Sequence, residues 1–233
     1  MIDCDDRRAA SFRPPWHTLP TEPAPIDPLL CMFQRARVVK LQPGACPIVQ
    51  DSLPSEVFYV TNGTMKLTRV GLGGRETILG VHGSGSLLGA EQAVAGTRHV
   101  ASATAITECT VRAIAVCHYR EAIRDDRDLC ALRYVAVSKL YIDSLEQCGR
   151  LGGDSAESRL AAALIDCIPV SDVAQTKPHR VQFPLRSWEI AQMLAVTPWY
   201  LSRMLGKLEA DSVIRRNKGW IVILDMDKLT TLA

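Results

Sequence analysis

Apolar residues change their period twice along this chain, and each change marks a boundary. In residues 29–120 the pattern is that of strands. "VFYVTNGTMKLTRV" (57–70) places Asn62-Gly63 between two β-rich runs, which predicts a hairpin. "GLGGRETILGV" (71–81) predicts a second Gly-rich turn, and "HVASATAITECTVRAIAV" (99–116) is rich in β-branched residues and alternates in part. Short strands at regular turns predict a small jelly roll. From Tyr119 to Cys148 proline and glycine are absent and the period becomes helical. Tyr134, Val137, Tyr141, Leu145 and Cys148 form one stripe; Leu129, Leu132, Ala136 and Leu140 form another. Two stripes on one helix predict two partners, the chain's own barrel and a second copy of the same helix.

"RLGGD" (150–154) is expected to end this helix, and "DSAESRLAAALIDC" restarts one with a cap at Asp154 or Ser155. "HRVQFPL" (179–185) reads as a short strand. Helices then follow over Ser187–Leu194 and from Pro198, and "SVIRRNKGWIVIL" reads as a hairpin turning at Asn217-Lys218-Gly219. Helix, helix, hairpin is the order of a winged helix. Thr197 is a good N-cap and Pro198 a good first helical residue. The small Ala191 lets the second helix cross the first closely. In a helix-turn-helix the second helix enters the major groove, and its first residues meet the bases. Here those are Pro198, Trp199, Ser202 and Arg203, with Lys207 a turn further along and suited to a phosphate. Arg203 can donate two hydrogen bonds to a guanine edge. Arg186, Ser187, Thr197 and Lys218 complete the candidate DNA-binding set.

Charge sharpens this reading. The chain carries only +2 over 233 residues, yet Arg180–Trp220 holds seven Lys and Arg against three Asp and Glu, a local net charge of +4. A basic patch is therefore local rather than spread over the surface. Residues 1–28 contain six prolines and no clear period, which predicts a flexible N-terminal arm. Its acidic-then-basic opening has no apolar signal core, and no run of about 18 apolar residues occurs, so a cytoplasmic protein without a membrane partner is expected. The eight cysteines lie at least eight residues apart with no CxxC, so they are expected to behave as reduced, small apolar residues.

"FPLRSWEIAQMLAVTPWYLSRMLGKLEADSVI", "VTNGTMKLTR" and the glycines of "GSGSLLGAEQAVAG" resemble the cyclic-AMP receptor protein and fumarate-nitrate regulator family of bacterial transcription regulators. The likeness covers roughly residues 29–230. It implies an α+β fold: a β-roll sensor domain of the cyclic-nucleotide-binding type over 29–120, a dimerisation helix over 121–150 and a winged-helix domain over 151–233. It implies a homodimer on a two-fold operator of double-stranded DNA, with RNA polymerase as a further partner and a small-molecule effector pocket between roll and long helix. The dimer interface would be Tyr134, Val137, Tyr141, Leu145 and Cys148; the effector set would be Gly89, Glu91, Arg98, His99 and Tyr141.

Three departures from the family pattern stand out. Where the nitrate-type branch has Glu followed three residues later by Ser-Arg, this chain has Trp199 with Ser202 and Arg203. An indole cannot accept from a cytosine amino group, so the operator should differ from the family's TTGA-type half-site. The turn glycine is Ala195, a strain on the order of 1 kcal/mol. The cyclic-nucleotide subgroup has Gly-Glu and then Arg-Ser or Arg-Thr; "LLGAEQAVAGTRHVASA" has Gly89-Ala90, with Glu91 one place late, and Arg98 followed by His99 and Val100. Cyclic AMP is therefore not the expected effector, and a cyclic-AMP- or redox-responsive regulator is the alternative within the family. His82, in "GVHGSG", reads as a turn residue. No cofactor and no catalytic activity are expected. From other classes, a cupin-like metal enzyme would need clustered histidines, and this chain has five with no HxH; a protein-interaction module would bind protein through the winged helix instead.

Overall fold

A computed structural model describes residues 32–33, 36–168, 179–181 and 185–233 of the chain; the arm expected over 1–28 lies outside them. Seven strands build two facing sheets. One has the order β1-β7-β2-β5, from β1 (Arg37–Leu41), β2 (Glu56–Asn62), β5 (Leu87–Leu88) and β7 (Cys109–Ala115). The other has the order β4-β3-β6, from β3 (Met65–Val70), β4 (Glu76–His82) and β6 (Ser102–Ala105). A short helix α1 (Ala90–Ala95) follows β5. Ile48, Phe58, Val60, Met65, Leu88, Ala103, Val111 and Ala113 fill the space between the sheets.

The Asn62-Gly63 turn is not a hairpin. β2 pairs with β7 and β5, whereas β3 pairs with β4 and β6, so the turn carries the chain from one sheet to the other. A side chain at Gly63 would lie 2.4 Å from the Glu108 carbonyl, and its φ of +92° suits only glycine. The loop before β7 therefore packs directly onto this crossing. The Gly71–Gly74 turn does close a hairpin, with β3 and β4 antiparallel. Within it Leu67 faces Gly80 and Thr68 faces Ile78, so Leu79 is an extra, bulged residue. The bulge lets Ile78 and Val81 share one face of the hairpin with Lys66 and Thr68, while Met65, Leu67 and His82 point the other way.

The long helix is in two pieces. α2 (Val116–Asp125) ends at Asp126, whose carboxylate accepts from the amides of Asp128 and Leu129 and so starts α3 (Arg127–Gly153). The expected stop at "RLGGD" is found at the end of that segment. α3 runs through Gly152 and Gly153, and Ser155 then caps α4 (Ala156–Asp166) by accepting from the Ser158 amide. The small glycines cost helix stability but do not forbid the helix. The turn that ends it falls on Asp154.

The C-terminal unit contains β8 (His179–Val181), α5 (Ser187–Met193), α6 (Pro198–Ala210), β9 (Ile214–Asn217), β10 (Trp220–Ile223) and α7 (Met226–Leu232). Its sheet has the order β8-β10-β9. Gln182, Phe183 and Pro184 of the expected strand lie outside the described residues. Leu160, Leu164, Ile190, Ala191, Leu201, Met204, Ile214 and Leu229 form its core, and Ile78 and Val81 of the roll join the same cluster. The two units thus share apolar contact through one face of the β3–β4 hairpin.

Thiol placement differs from the expectation for small apolar residues. Among the described cysteines only Cys109 is buried; Cys46, Cys117, Cys130 and Cys148 are exposed, and Cys167 is intermediate. The closely packed glycine and carbonyl at the sheet crossing explain Cys109, while the helical cysteines fall on solvent faces.

Candidate nucleic-acid interface and sensor cavity

α5 and α6 cross at Ala191, which is fully buried. Thr197 caps α6 by accepting from the Tyr200 amide, and Pro198 supplies the first helical position. Leu201, Met204 and Leu208 face the core, so the residues between them face out. Ser202, Arg203 and Lys207 are exposed, as are Arg186, Ser187, Thr197, Pro198 and, in the β9–β10 turn, Lys218. Trp199 is 69% exposed, although it is a large aromatic ring. The Arg203 guanidinium lies 5.8 Å from the centre of that ring, one helical turn on. A cation over an indole face leaves the guanidinium edge free to donate. The sequence-predicted DNA-binding residues of α5 and α6 therefore occupy one exposed surface, with Lys218 on the wing.

Several contacts that stiffen this surface left no signal in the sequence. Tyr200 donates its hydroxyl hydrogen to Glu157 Oε1 at 2.9 Å, tying α6 to α4. That bond holds the Glu157 carboxyl below its ordinary pKa and pushes the Tyr200 phenol above its own. Arg159 donates to the Leu194 carbonyl at the end of α5 through Nε (3.2 Å) and Nη2 (3.1 Å). Glu209 accepts from the backbone amide and the side chain of Arg216, joining α6 to the wing. Arg180 lies over the Trp220 ring at 4.5 Å. The turn between α5 and α6 contains Ala195 at φ +54°, the left-handed region, where the family pattern has glycine.

Glu189 links this unit to the roll. Its Oε2 accepts from the Arg186 amide at the start of α5 (2.9 Å), and its Oε1 pairs with Lys66 Nζ of β3 (2.5 Å). The carboxylate side chain is only 8% exposed, and the Lys66 ammonium also sits 5.3 Å from the centre of the Trp188 ring. One carboxylate thus starts the first helix of the helix-turn-helix and fastens it to the roll.

A cavity of about 500 Å3 opens between the roll and α3. Ile48, Leu67, Leu79, Leu88, Ala101 and Leu140 give it apolar walls. His82 and His99 both line it. His82 is the last residue of β4 rather than a turn residue, and burial lowers its pKa to about 4. Burial lowers the His99 pKa as well. The His99 ring packs on Gly89, where a side chain would come within 3.1 Å of Cε1. Glu91 also lines the cavity, but its Oε1 accepts from Arg133 at 2.7 Å. Of the residues expected around an effector, Gly89, Glu91 and His99 come together here. Arg98 does not join them: it is exposed and donates to the Asp51 carbonyl at 2.6 Å. Tyr141 does not either. It is 64% exposed on α3, on the same stripe as Tyr134, Val137, Leu145 and Cys148 and away from the cavity residues Arg133, Ala136, Leu140 and Ser144.

Among the described residues no three His, Cys, Asp or Glu side chains gather as a metal site, and no helix is long and apolar enough to cross a membrane.

Comparison with known proteins agrees in both halves. Residues 38–126 match the cyclic nucleotide-binding domain family and residues 158–232 the Crp-like helix-turn-helix domain family. The nitrogen fixation regulation protein FixK of Rhizobium meliloti is 28% identical over 84% of this chain and 86% of its own length. The cyclic AMP receptor protein of Thermus thermophilus is 27% identical over 91% of this chain and 93% of its own. The solved structure of FixK2 from Bradyrhizobium japonicum superposes with a TM-score of 0.73 at 20% identity, covering 84% of this chain and 96% of that one. A cyclic nucleotide-binding roll followed by a Crp-like helix-turn-helix, matched in that order along the chain, makes this protein a transcription regulator of the CRP/FNR family.

Proposed function

We propose that two copies pair along α3 and present two α6 helices to successive major grooves of a two-fold DNA site. The observation that carries this reading is the division of α6 into two faces. Leu201, Met204 and Leu208 are committed to the core, whereas Trp199, Ser202, Arg203 and Lys207 stand in solvent on a helix capped at its first turn. Arg203 donates to a guanine, Lys207 meets a phosphate, and the Trp199 ring packs on a thymine methyl. Arg186, Ser187 and Lys218 flank this contact and suit the phosphate backbone.

The pairing surface is the stripe Tyr134, Val137, Tyr141, Leu145 and Cys148. Tyr134 is 75% exposed in the single chain, an unusual cost for so many large side chains on one helix unless a partner covers them. RNA polymerase is the further partner of such a regulator, and the bacterial cytoplasm is its place of action. Tyr141→Glu would set two charges against each other across the pairing axis. It should give monomers in sedimentation equilibrium and abolish binding to a two-fold duplex. A wild type that is monomeric at micromolar concentration contradicts the reading.

A further inference from the structure

The cavity beside α3 holds a charge balance that restricts what can enter it. Its ionised side chains are Glu91, Arg133, Lys139 and Asp143, two of each sign. Arg133, the buried cation among them, is already engaged: it donates to Glu91 Oε1 and also bonds the Tyr119 hydroxyl. Lys139 lies exposed at the mouth, where solvent screens it. Arg98, the cation nearest in sequence to this wall, is turned outward onto Asp51. A phosphate moved into such a site would lose its hydration with no free buried cation to replace it, and that loss is large.

The remaining polar groups suit a different guest. His82 and His99 have no side-chain hydrogen-bond partner among the described residues, and burial keeps both rings neutral at neutral pH. A neutral imidazole offers one donor and one acceptor, and so serves an uncharged hydroxyl, carbonyl or amine. The walls around them are leucine, isoleucine, valine and alanine, and about 500 Å3 is the size of a small-molecule site.

We infer that this cavity takes an uncharged, mainly apolar small molecule, hydrogen-bonded by His82 and His99, rather than a phosphorylated nucleotide. This rests on the regulator reading, since it names the class of signal that such a regulator senses. The route to the DNA-binding unit is short. Leu67, Leu79 and His82 line the cavity from one side of the β3–β4 hairpin, and Lys66, Ile78 and Val81 hold the C-terminal unit from its other side. A guest that moves the bulged Leu79 moves the strand on which α5 is seated.

The test uses the full chain and an uncharged fluorophore, N-phenyl-1-naphthylamine, with cyclic AMP as the charged comparator. The wild type should bind the dye saturably, one molecule per chain. Ala136→Phe, which fills the cavity from α3, should weaken that binding at least tenfold while thermal unfolding confirms a folded protein. Lys139→Glu, which adds negative charge at the mouth, should change dye affinity less than twofold. Cyclic AMP at millimolar concentration should not displace the dye. Three results each overturn the proposal: no saturable dye binding, dye binding unaltered by Ala136→Phe, or micromolar displacement by cyclic AMP that Lys139→Glu weakens. DNA binding by the wild-type preparation is measured alongside. A protein that binds DNA but not the dye refutes the ligand class alone, and one that binds the dye but no DNA refutes the regulator reading alone.

Discussion

His82 shows how much one residue's surroundings alter its chemistry. Its folded pKa of about 4 lies below the ordinary 6.5, because burial penalises the imidazolium. The unfolded chain therefore binds this proton more readily, and stability is lost as pH falls from about 6.5 towards 4. The shift limits the effect to about 3 kcal/mol. Asp166 acts in the opposite sense. Its carboxyl is held up to about 8 by burial, against the pull of Arg150, so the folded state keeps its proton and stability falls as pH rises from about 4 to 8. The two are separated by a difference measurement. Urea unfolding at pH 7.5 and pH 4.5 should show that His82→Gln loses less stability on acidification than the wild type; equal losses contradict the assignment. At Ala195 the strain is conformational. With φ at +54° in the turn before α6, Ala195→Gly should raise stability by roughly 0.5–1 kcal/mol in the same assay, set against the entropy that glycine adds to the unfolded chain. A destabilised variant would show that the turn is unstrained.

Elements reveal where the sequence was readable and where it was not. α6 could be placed from its cap, its proline and its apolar spacing, because all three signals are local. The Asn62-Gly63 turn could not be read correctly, because sheet membership depends on partners some fifty residues away, such as Thr110 opposite Asn62. The break at Asp126 was legible in principle: an aspartate three residues before Leu129 is a helix-start signal, but the uninterrupted apolar spacing hid it. Candidate site residues divided in the same way. Those on α6 share a face by periodicity alone, whereas Arg98 and His99, adjacent in sequence, point to opposite sides of a loop. The Lys66–Glu189 pair joins residues 123 apart and has no local signature. Lys66→Met leaves a buried carboxylate unpaired, which should cost about 3 kcal/mol of stability. The companion Lys66→Met/Glu189→Gln should recover part of that loss. Equal stability of Lys66→Met and wild type by urea unfolding would mean that the two units are held by Ile78 and Val81 without the ion pair.

Across the whole molecule, the order of three parts was legible because each has its own hydrophobic period, and the family matches fall on the first and last of them, over 38–126 and 158–232. What sequence could not supply was the arrangement of the parts. The β3–β4 hairpin serves as both the wall of a cavity and the seat of α5, so the cavity and the helix-turn-helix unit meet on the two faces of one ribbon. The assignment of α6 as the reader of bases is tested by selecting bound duplexes from random DNA with wild type and Arg203→Ala. The wild type should select a two-fold motif. Losing a bidentate arginine–guanine contact costs roughly 1–3 kcal/mol, and Arg203→Ala loses one in each half-site, so it should bind that motif at least about 30-fold more weakly and lose preference at one base pair in each half-site. Full affinity together with an unchanged motif in Arg203→Ala would mean that α6 does not read the bases.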